Sequence, residues 1–307
     1  MDHVTGYLCY LDVLGFSSLY EIEEFKGIYD KLIEYVKDNF LFQTANFYTY
    51  FLSDSIVIIS DNLDDVVDIS LDLYSFGLKE NIWMRGGLSE GIVTTIPDCK
   101  INKHILLPFL GNAYLKAYNL EKDINSAIIN IDNSVAKRIE NDLCYVYKEW
   151  FPKTGTPNEK TILFRDLKDK SIPLTHFANL YEKVLDTLPT EIEKYVNTIC
   201  FYIKILMSEL YSLDDVHTTL LKRFTEIFNE IGFKTIIPNE YIVIFIALIE
   251  EMMTHYHADT HQYEIDKIVR EVITILREKG YLPIFMEYLK SLNKSRLIYD
   301  INKSLSR

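Results

Sequence analysis

Residues 6–19 read GYLCYLDVLGFSSL. From Tyr7 to Leu14 apolar and aromatic side chains are interrupted only by Asp12. A short run of this kind between two glycines predicts a buried strand over Gly6 to Val13, ending at Gly15. Ser17 and Ser18 then offer hydroxyls that can cap a helix, whose apolar stripe is Leu19, Ile22, Phe25, Ile28, Leu32 and Val36. A strand that runs into a helix, with a carboxylate at its end, sets the pattern for the first half of the chain.

The pattern repeats with variation downstream. Phe47 to Leu52 and Ser55 to Ile59 are β-rich runs on either side of Ser53-Asp54, which predicts a hairpin with that pair at its turn. Leu63 to Leu78 carries Val66, Ile69, Leu73 and Phe76 at helical spacing and reads as a helix stopping at Gly77. Ile82 to Thr95 and Ile105 to Phe109 are strand-like, Asn112 to Leu120 is helical, Ala127 to Ile131 a strand, and Ser134 to Leu143 a further helix. The order, roughly β-α-β-β-α-β-β-α-β-α, predicts an α+β domain: a single sheet with helices on one face.

The texture then changes. From Trp150 to Pro173 the chain is punctuated by Pro152, Gly155 and Pro157 and charged from Arg165 to Lys170, which reads as a linker or irregular arm. Beyond it the pattern is helical. Ser212 with Asp215 marks a helix start that runs to Gly232, Asn239 can cap a second helix, and Gly280 closes a third. The division expected is residues 1–149 as the α+β domain, 150–173 as the arm and 174–307 as an all-helical C-terminal domain.

The chain has 307 residues, 48% hydrophobic and 25% charged, which excludes an intrinsically disordered protein. Its net charge is −13, and residues 1–150 hold 12 basic against 23 acidic side chains, with no Lys or Arg between Asp38 and Leu78. A general nucleic-acid binder needs a basic face to neutralise phosphates, so that class is disfavoured. Cys9, Cys99, Cys144 and Cys200 are isolated and the start lacks the pattern of a signal peptide, so a reducing cytoplasm is expected. The longest apolar runs, such as Tyr241 to Ile249, are too short to span a bilayer.

Two carboxylates carry the chemistry. Asp12 ends an apolar strand, where a charge is costly unless a cation or donor meets it. Asp54 lies in the turn of the predicted hairpin. With the hairpin beside the first strand, both point to one edge of the sheet next to a helix N-terminus. That arrangement suits Mg²⁺ held together with substrate phosphates. The alternative from spacing alone is that Asp12 caps a strand and Asp54 is an ordinary turn residue.

YLDVLGFSSL, YFLSDSIVI, MRGGLSEGIV, GNAYLKAYNLE and SAIINIDNSVAKRI follow one another in this order. Over residues 6–142 this resembles the catalytic domain of class III nucleotidyl cyclases, and within them the pyrimidine-specific cyclases of bacterial Pycsar antiphage systems. The resemblance implies a ferredoxin-like sheet. It further implies that Asp12 and Asp54, with the backbone carbonyl of Val13, hold two Mg²⁺ or Mn²⁺ ions. The loop of Leu14, Gly15, Phe16, Ser17 and Ser18 would bind the β- and γ-phosphates through backbone amides. Tyr50, four residues before Asp54, stands where purine cyclases place a base-reading Lys, as in the pyrimidine-specific group. Leu115 and Asn119 replace an Asn and an Arg of adenylate cyclases, and Pro108 replaces the carboxylate that reads adenine. These departures point away from purine specificity and leave Lys116 or Arg85 as the cation for the α-phosphate.

The resemblance also implies a homodimer in which Asn112 to Tyr118 of one chain face Asp12 of the other. The activity implied is conversion of UTP or CTP to the 3′,5′-cyclic mononucleotide and pyrophosphate, as a messenger for a cyclic-nucleotide-responsive effector in antiphage defence. A palm-type polymerase relative making a dinucleotide and a non-catalytic nucleotide-binding module are the alternatives. Other motifs carry less. Gly87 to Gly91 (GLSEG) matches a nucleophile elbow but continues as strand rather than helix. His255, His257 and His261 flank Asp259-Thr260, which reads as an interhelical loop rather than a zinc site. Tyr202, Phe224 and Phe228 read as bundle core.

Overall fold

The computed structural model describes residues 4–15, 22–40, 47–95, 100–101, 104–105, 109–140, 143–149, 153, 159–165, 180, 192–209, 246–247, 270, 273–274, 276–278, 280, 282–291 and 293–306. The chain divides into two compact units, Met1–Lys168 and Asp169–Arg307.

In the first unit β1 (Val4–Val13) is the apolar run of the opening sequence, with Leu8, Cys9 and Leu11 fully buried. It is followed by α1 (Ile22–Phe40), β2 (Phe47–Leu52), β3 (Ser55–Ser60), α2 (Leu63–Lys79) and β4 (Met84–Thr95). Short strands β5 (Lys100–Ile101), β6 (His104–Ile105) and β7 (Phe109–Leu110) lead to α3 (Asn112–Asp123). Then come β8 (Ile129–Ile131), α4 (Asn133–Ala136), β9 (Cys144–Lys148) and β10 (Glu159–Leu163). The main sheet has the order β2-β3-β1-β4-β8-β10-β9, with β7 paired to β4. Its first four strands are mutually antiparallel. With α1 and α2 as their connections they form the ferredoxin-like arrangement expected.

Alternation along β1 sorts the two faces of the sheet. Leu11 and Cys9 point toward the layer of α1 and α2, where Tyr35 stacks on Phe76 at 4.1 Å and Cys9 meets Ser70. Leu8 and Tyr10 point the other way, into a cluster with Val57, Ile59, Val93, Ala113 and Ala117. The last two belong to α3, so α1 and α2 form the helical layer on one face and α3 lies on the opposite face. What admits α3 is the glycine spacing of β4. A Cβ at Gly87 would run into the Ala117 carbonyl oxygen, and one at Gly91 into Asn112. The GLSEG sequence is therefore strand throughout, and its glycines are docking points for a helix.

Three boundaries differ from the reading of the sequence. Helix α2 continues through Gly77 to Lys79; Gly77 is there because a Cβ would press on the Ile82 carbonyl and the Met84 side chain. The helix expected over Ser134 to Leu143 is only the four residues of α4, capped by the Asp132 carboxylate on the Ser134 amide at 2.8 Å. The arm over 150–173 contributes β10, which pairs with β8 and β9 and buries Ile162 and Leu163.

In the second unit α5 (Ile192–Glu209) is buried without a break from Tyr195 to Tyr202, as befits a helix surrounded by others. Helices α6 (Leu282–Ser291) and α7 (Ser295–Leu305) follow, and Gly280 takes the left-handed φ of 77° where a helix end was expected. The helix starts at Ser212 and Asn239, the three histidines, Phe224 and Phe228 lie outside the described residues. No helix among the described residues is long and apolar enough to cross a membrane.

Candidate functional site

The register of β1 places its end between two neighbours: Asp12 pairs with Ser55 of β3 on one side and with Arg85 of β4 on the other. Ser53 takes a left-handed φ of 54° to close the hairpin. The amide of Val13 donates to the Asp54 carbonyl at 2.9 Å, tying the turn to the end of β1. Asp12 and Asp54 thus meet at one end of the sheet. The Ser55 hydroxyl donates to Asp54 Oδ1 at 3.4 Å and pairs with the Tyr10 hydroxyl at 2.5 Å. This short relay orients Asp54 from within the core.

Arg85 crosses from β4 to Asp12, with Nε and Nη2 at 3.2 and 3.1 Å from Oδ2. Its Nε also forms an ion pair with Glu121 Oε1, near the end of α3. The Glu121 side chain is 1% exposed, against 17% for Asp12. Burial raises the Asp12 carboxyl above the ordinary range; Arg85 pulls it down and the charge on Asp54 pushes it up. Glu121 is likewise raised by burial and lowered by Arg85. Lys122 stands nearby, its ammonium 5.1 Å from the centre of the Tyr118 ring. Sequence reasoning missed Tyr10, Ser55 and Glu121 as parts of this site. The final Glu of GNAYLKAYNLE was the one available signal.

The other sequence candidates are distributed unevenly. Tyr50 pairs with Val57 and lies half-buried on the Tyr10 face, stacked on Tyr48 at 6.3 Å and packed on the cluster around Leu8 and Tyr10. It therefore shares a face with Asp12. Leu14 gives its amide to the Trp83 carbonyl at 2.7 Å, which removes that donor from the expected phosphate loop. Gly15 takes a φ of 80°, and Phe16, Ser17 and Ser18 lie outside the described residues, as does Pro108. Asn112 accepts the Ile92 amide at 2.7 Å and Lys116 donates to the Glu90 carbonyl at 3.0 Å. Glu90 is five residues along β4 from Arg85, about 17 Å at the usual strand rise. Asn112 and Lys116 are thus at the far end of the sheet from Asp12 of their own chain. Leu115, beside them, is 60% exposed.

Two carboxylates and a main-chain carbonyl make a donor set of hard oxygens, suited to Mg²⁺ or Mn²⁺. The fit is supported by the burial and by the Asp54 charge that disfavour ionised Asp12, both of which a divalent cation would offset. No group of three or more His, Cys, Asp or Glu side chains stands ready for a metal among the described residues.

No model of a known protein family matches the chain, and no curated protein does. Solved structures that resemble it include the catalytic core of a rhodopsin-guanylyl cyclase with converted specificity in complex with ATPalphaS, at 14% identity and a TM-score of 0.39, covering 53% of this chain and 96% of that one. The guanylyl cyclase Cya2 is similar at 15% identity and a TM-score of 0.38, covering 55% of this chain and 96% of that one.

Proposed function

We propose that the first unit is the catalytic domain of a nucleotidyl cyclase that converts a pyrimidine nucleoside triphosphate to its 3′,5′-cyclic mononucleotide. The observation that carries this reading is the meeting of Asp12 and Asp54 at one end of a β2-β3-β1-β4 sheet, fixed by the Val13–Asp54 backbone bond. Asp12, Asp54 and the Val13 carbonyl would hold two Mg²⁺ or Mn²⁺ ions, which supply charge neutralisation at the α-phosphate and acidify the ribose 3′-hydroxyl. Arg85 stands at the same edge as the nearest guanidinium. Tyr50, on the face that Asp12 shares, would meet the base.

Asn112 and Lys116, remote from Asp12 within one chain, are assigned to the opposite chain of a homodimer. The second unit would then govern dimerisation or activation. The cyclic product would act in the cytoplasm as a messenger for an effector in antiphage defence.

A second reading, a nucleotide-binding module without turnover, is favoured by Arg85 itself. Its guanidinium is shared between Asp12 and Glu121, and Leu115 presents an apolar side chain where the resemblance calls for Asn. Incubating the full chain with each of the four NTPs and Mn²⁺, and identifying products by mass spectrometry, separates the readings. A cyclic pyrimidine mononucleotide is expected. A dinucleotide would favour a polymerase relative, and binding without product the inert module.

A further inference from the structure

Arg85 serves two carboxylates at once, and the sharing is asymmetric. Its Nε and Nη2 both reach the single oxygen Oδ2 of Asp12, Nε as a hydrogen bond, whereas Glu121 Oε1 meets the same Nε as a charge contact without a hydrogen bond, from a position in α3 that is almost wholly out of water. A buried carboxylate with a guanidinium partner loses heavily if the pair is broken. A carboxylate at a sheet edge can exchange one cation for another. Glu121, the more deeply buried of the two and with no hydrogen bond of its own at Oε1, therefore depends more on the charge of Arg85, and Asp12 is the partner that can change cations.

We propose that Glu121 is a positioning residue for divalent-cation binding: by holding Arg85 from the α3 side it keeps the guanidinium from neutralising Asp12 outright, and so leaves Asp12 able to take the metal. The proposal rests on the assignment of Asp12 as a metal ligand and adds the group that controls its availability. Without the negative charge of Glu121, the only anion within contact of Arg85 in this triad is Asp12. The guanidinium then competes with the cation for the same carboxylate. Partners one step removed from a metal commonly change its affinity by about 10–100-fold.

The measurement is Mn²⁺ affinity of the full chain, read from the free Mn²⁺ signal in electron paramagnetic resonance, with no nucleotide present. Glu121→Gln keeps the shape of the side chain and removes its charge; it is expected to weaken Mn²⁺ binding about 10-fold. Removing the competitor as well, in the neutral pair Glu121→Gln with Arg85→Met, is expected to restore affinity to the wild-type level or better. A purely structural role for Glu121 would give no such recovery. If Glu121→Gln fails to fold, the double variant, which removes one negative and one positive charge together, decides alone: affinity below wild type overturns the proposal. Unchanged affinity in Glu121→Gln would also overturn it while sparing the metal site. Wild-type affinity that is indifferent to Asp12→Asn would instead remove the metal site itself, and with it both readings.

Discussion

Asp12 ends β1 with its carboxylate mostly out of water, and both that burial and the charge on Asp54 favour its protonated form, against the pull of Arg85. A carboxyl raised on folding contributes stability below its unfolded value, about 3.9, and that contribution is lost as pH rises through the folded value. At neutral pH, then, ionised Asp12 is held for a purpose other than stability. Asp12→Asn is expected to raise the melting temperature of the metal-free protein at pH 7. The gain should shrink as pH falls, since the wild-type carboxyl then gains its proton as well. The same substitution, and Asp54→Asn, should lower turnover by more than about 100-fold, since a carboxamide lacks the charge that holds a hard cation. Calorimetry from pH 4 to 7 checks the first expectation; an Asp12→Asn protein that melts below wild type at pH 7 would make Asp12 a structural partner of Arg85. Tyr50 has a separate test. Losing a hydrogen bond to the base costs more than a change of pocket volume. Tyr50→Phe should therefore lose pyrimidine turnover, and Tyr50→Ala should lose discrimination against ATP and GTP. NTP preference unaltered in both would leave Tyr50 as packing on Tyr48 and the Tyr10 cluster.

At the scale of elements, α3 is what joins the sheet to the candidate site, since it covers the Tyr10 face and carries Glu121 in its last turn. Its seat on β4 depends on Gly87. Gly87→Ala would drive a methyl into the Ala117 carbonyl and the Leu120 side chain, both on the helix. Overpacking of this order costs about 1–3 kcal/mol, and chemical denaturation should show it. Because α3 must lift, Glu121 would lose its hold on Arg85, so Mn²⁺ affinity should fall along with stability. Stability falling alone would mean that α3 tilts about its Glu121 end. The elements that were legible in the sequence are those whose signal is local: the apolar run of β1, the hairpin around Asp54, and the apolar stripe of α2. What was not legible depended on distant partners. Strand β10 is five residues following Pro152, Gly155 and Pro157, and its apolar Ile162 and Leu163 make sense only beside β8. The opposite-face position of α3 is written in β4 as glycine spacing, which the sequence alone offers only as an incomplete hydrolase motif. Of the site, Asp12 and Asp54 stood out as charges in apolar surroundings, whereas Glu121 looks like any acidic residue near the end of a helix.

For the whole molecule, the distance between the two groups of candidate site residues is what the proposed dimer has to bridge. Helix α3 follows β4 from Asn112, whose side chain holds the Ile92 amide, to Glu121 beside Arg85. Asp12 and Lys116 of one chain are therefore about 17 Å apart along the strand, too far to act on one phosphate. If both act, they belong to different chains, and a twofold axis then makes two equivalent sites per dimer. The exposed Leu115 lies on α3 beside Lys116, where an opposing chain would cover it. Neither an Asp12→Asn homodimer nor a Lys116→Ala homodimer should turn over. Mixed after unfolding and refolding together, they form heterodimers in which one site carries both defects and the other carries neither. With random pairing, half of the dimers hold one working site of two, so activity should recover to roughly a quarter of wild type. The recovery should scale with the heterodimer fraction measured by native mass spectrometry. Heterodimers that form and remain inactive would place the site within a single chain or take Lys116 out of it, and Lys122, which stands close to Arg85 and Asp12 in the same chain, would become the cation to test next.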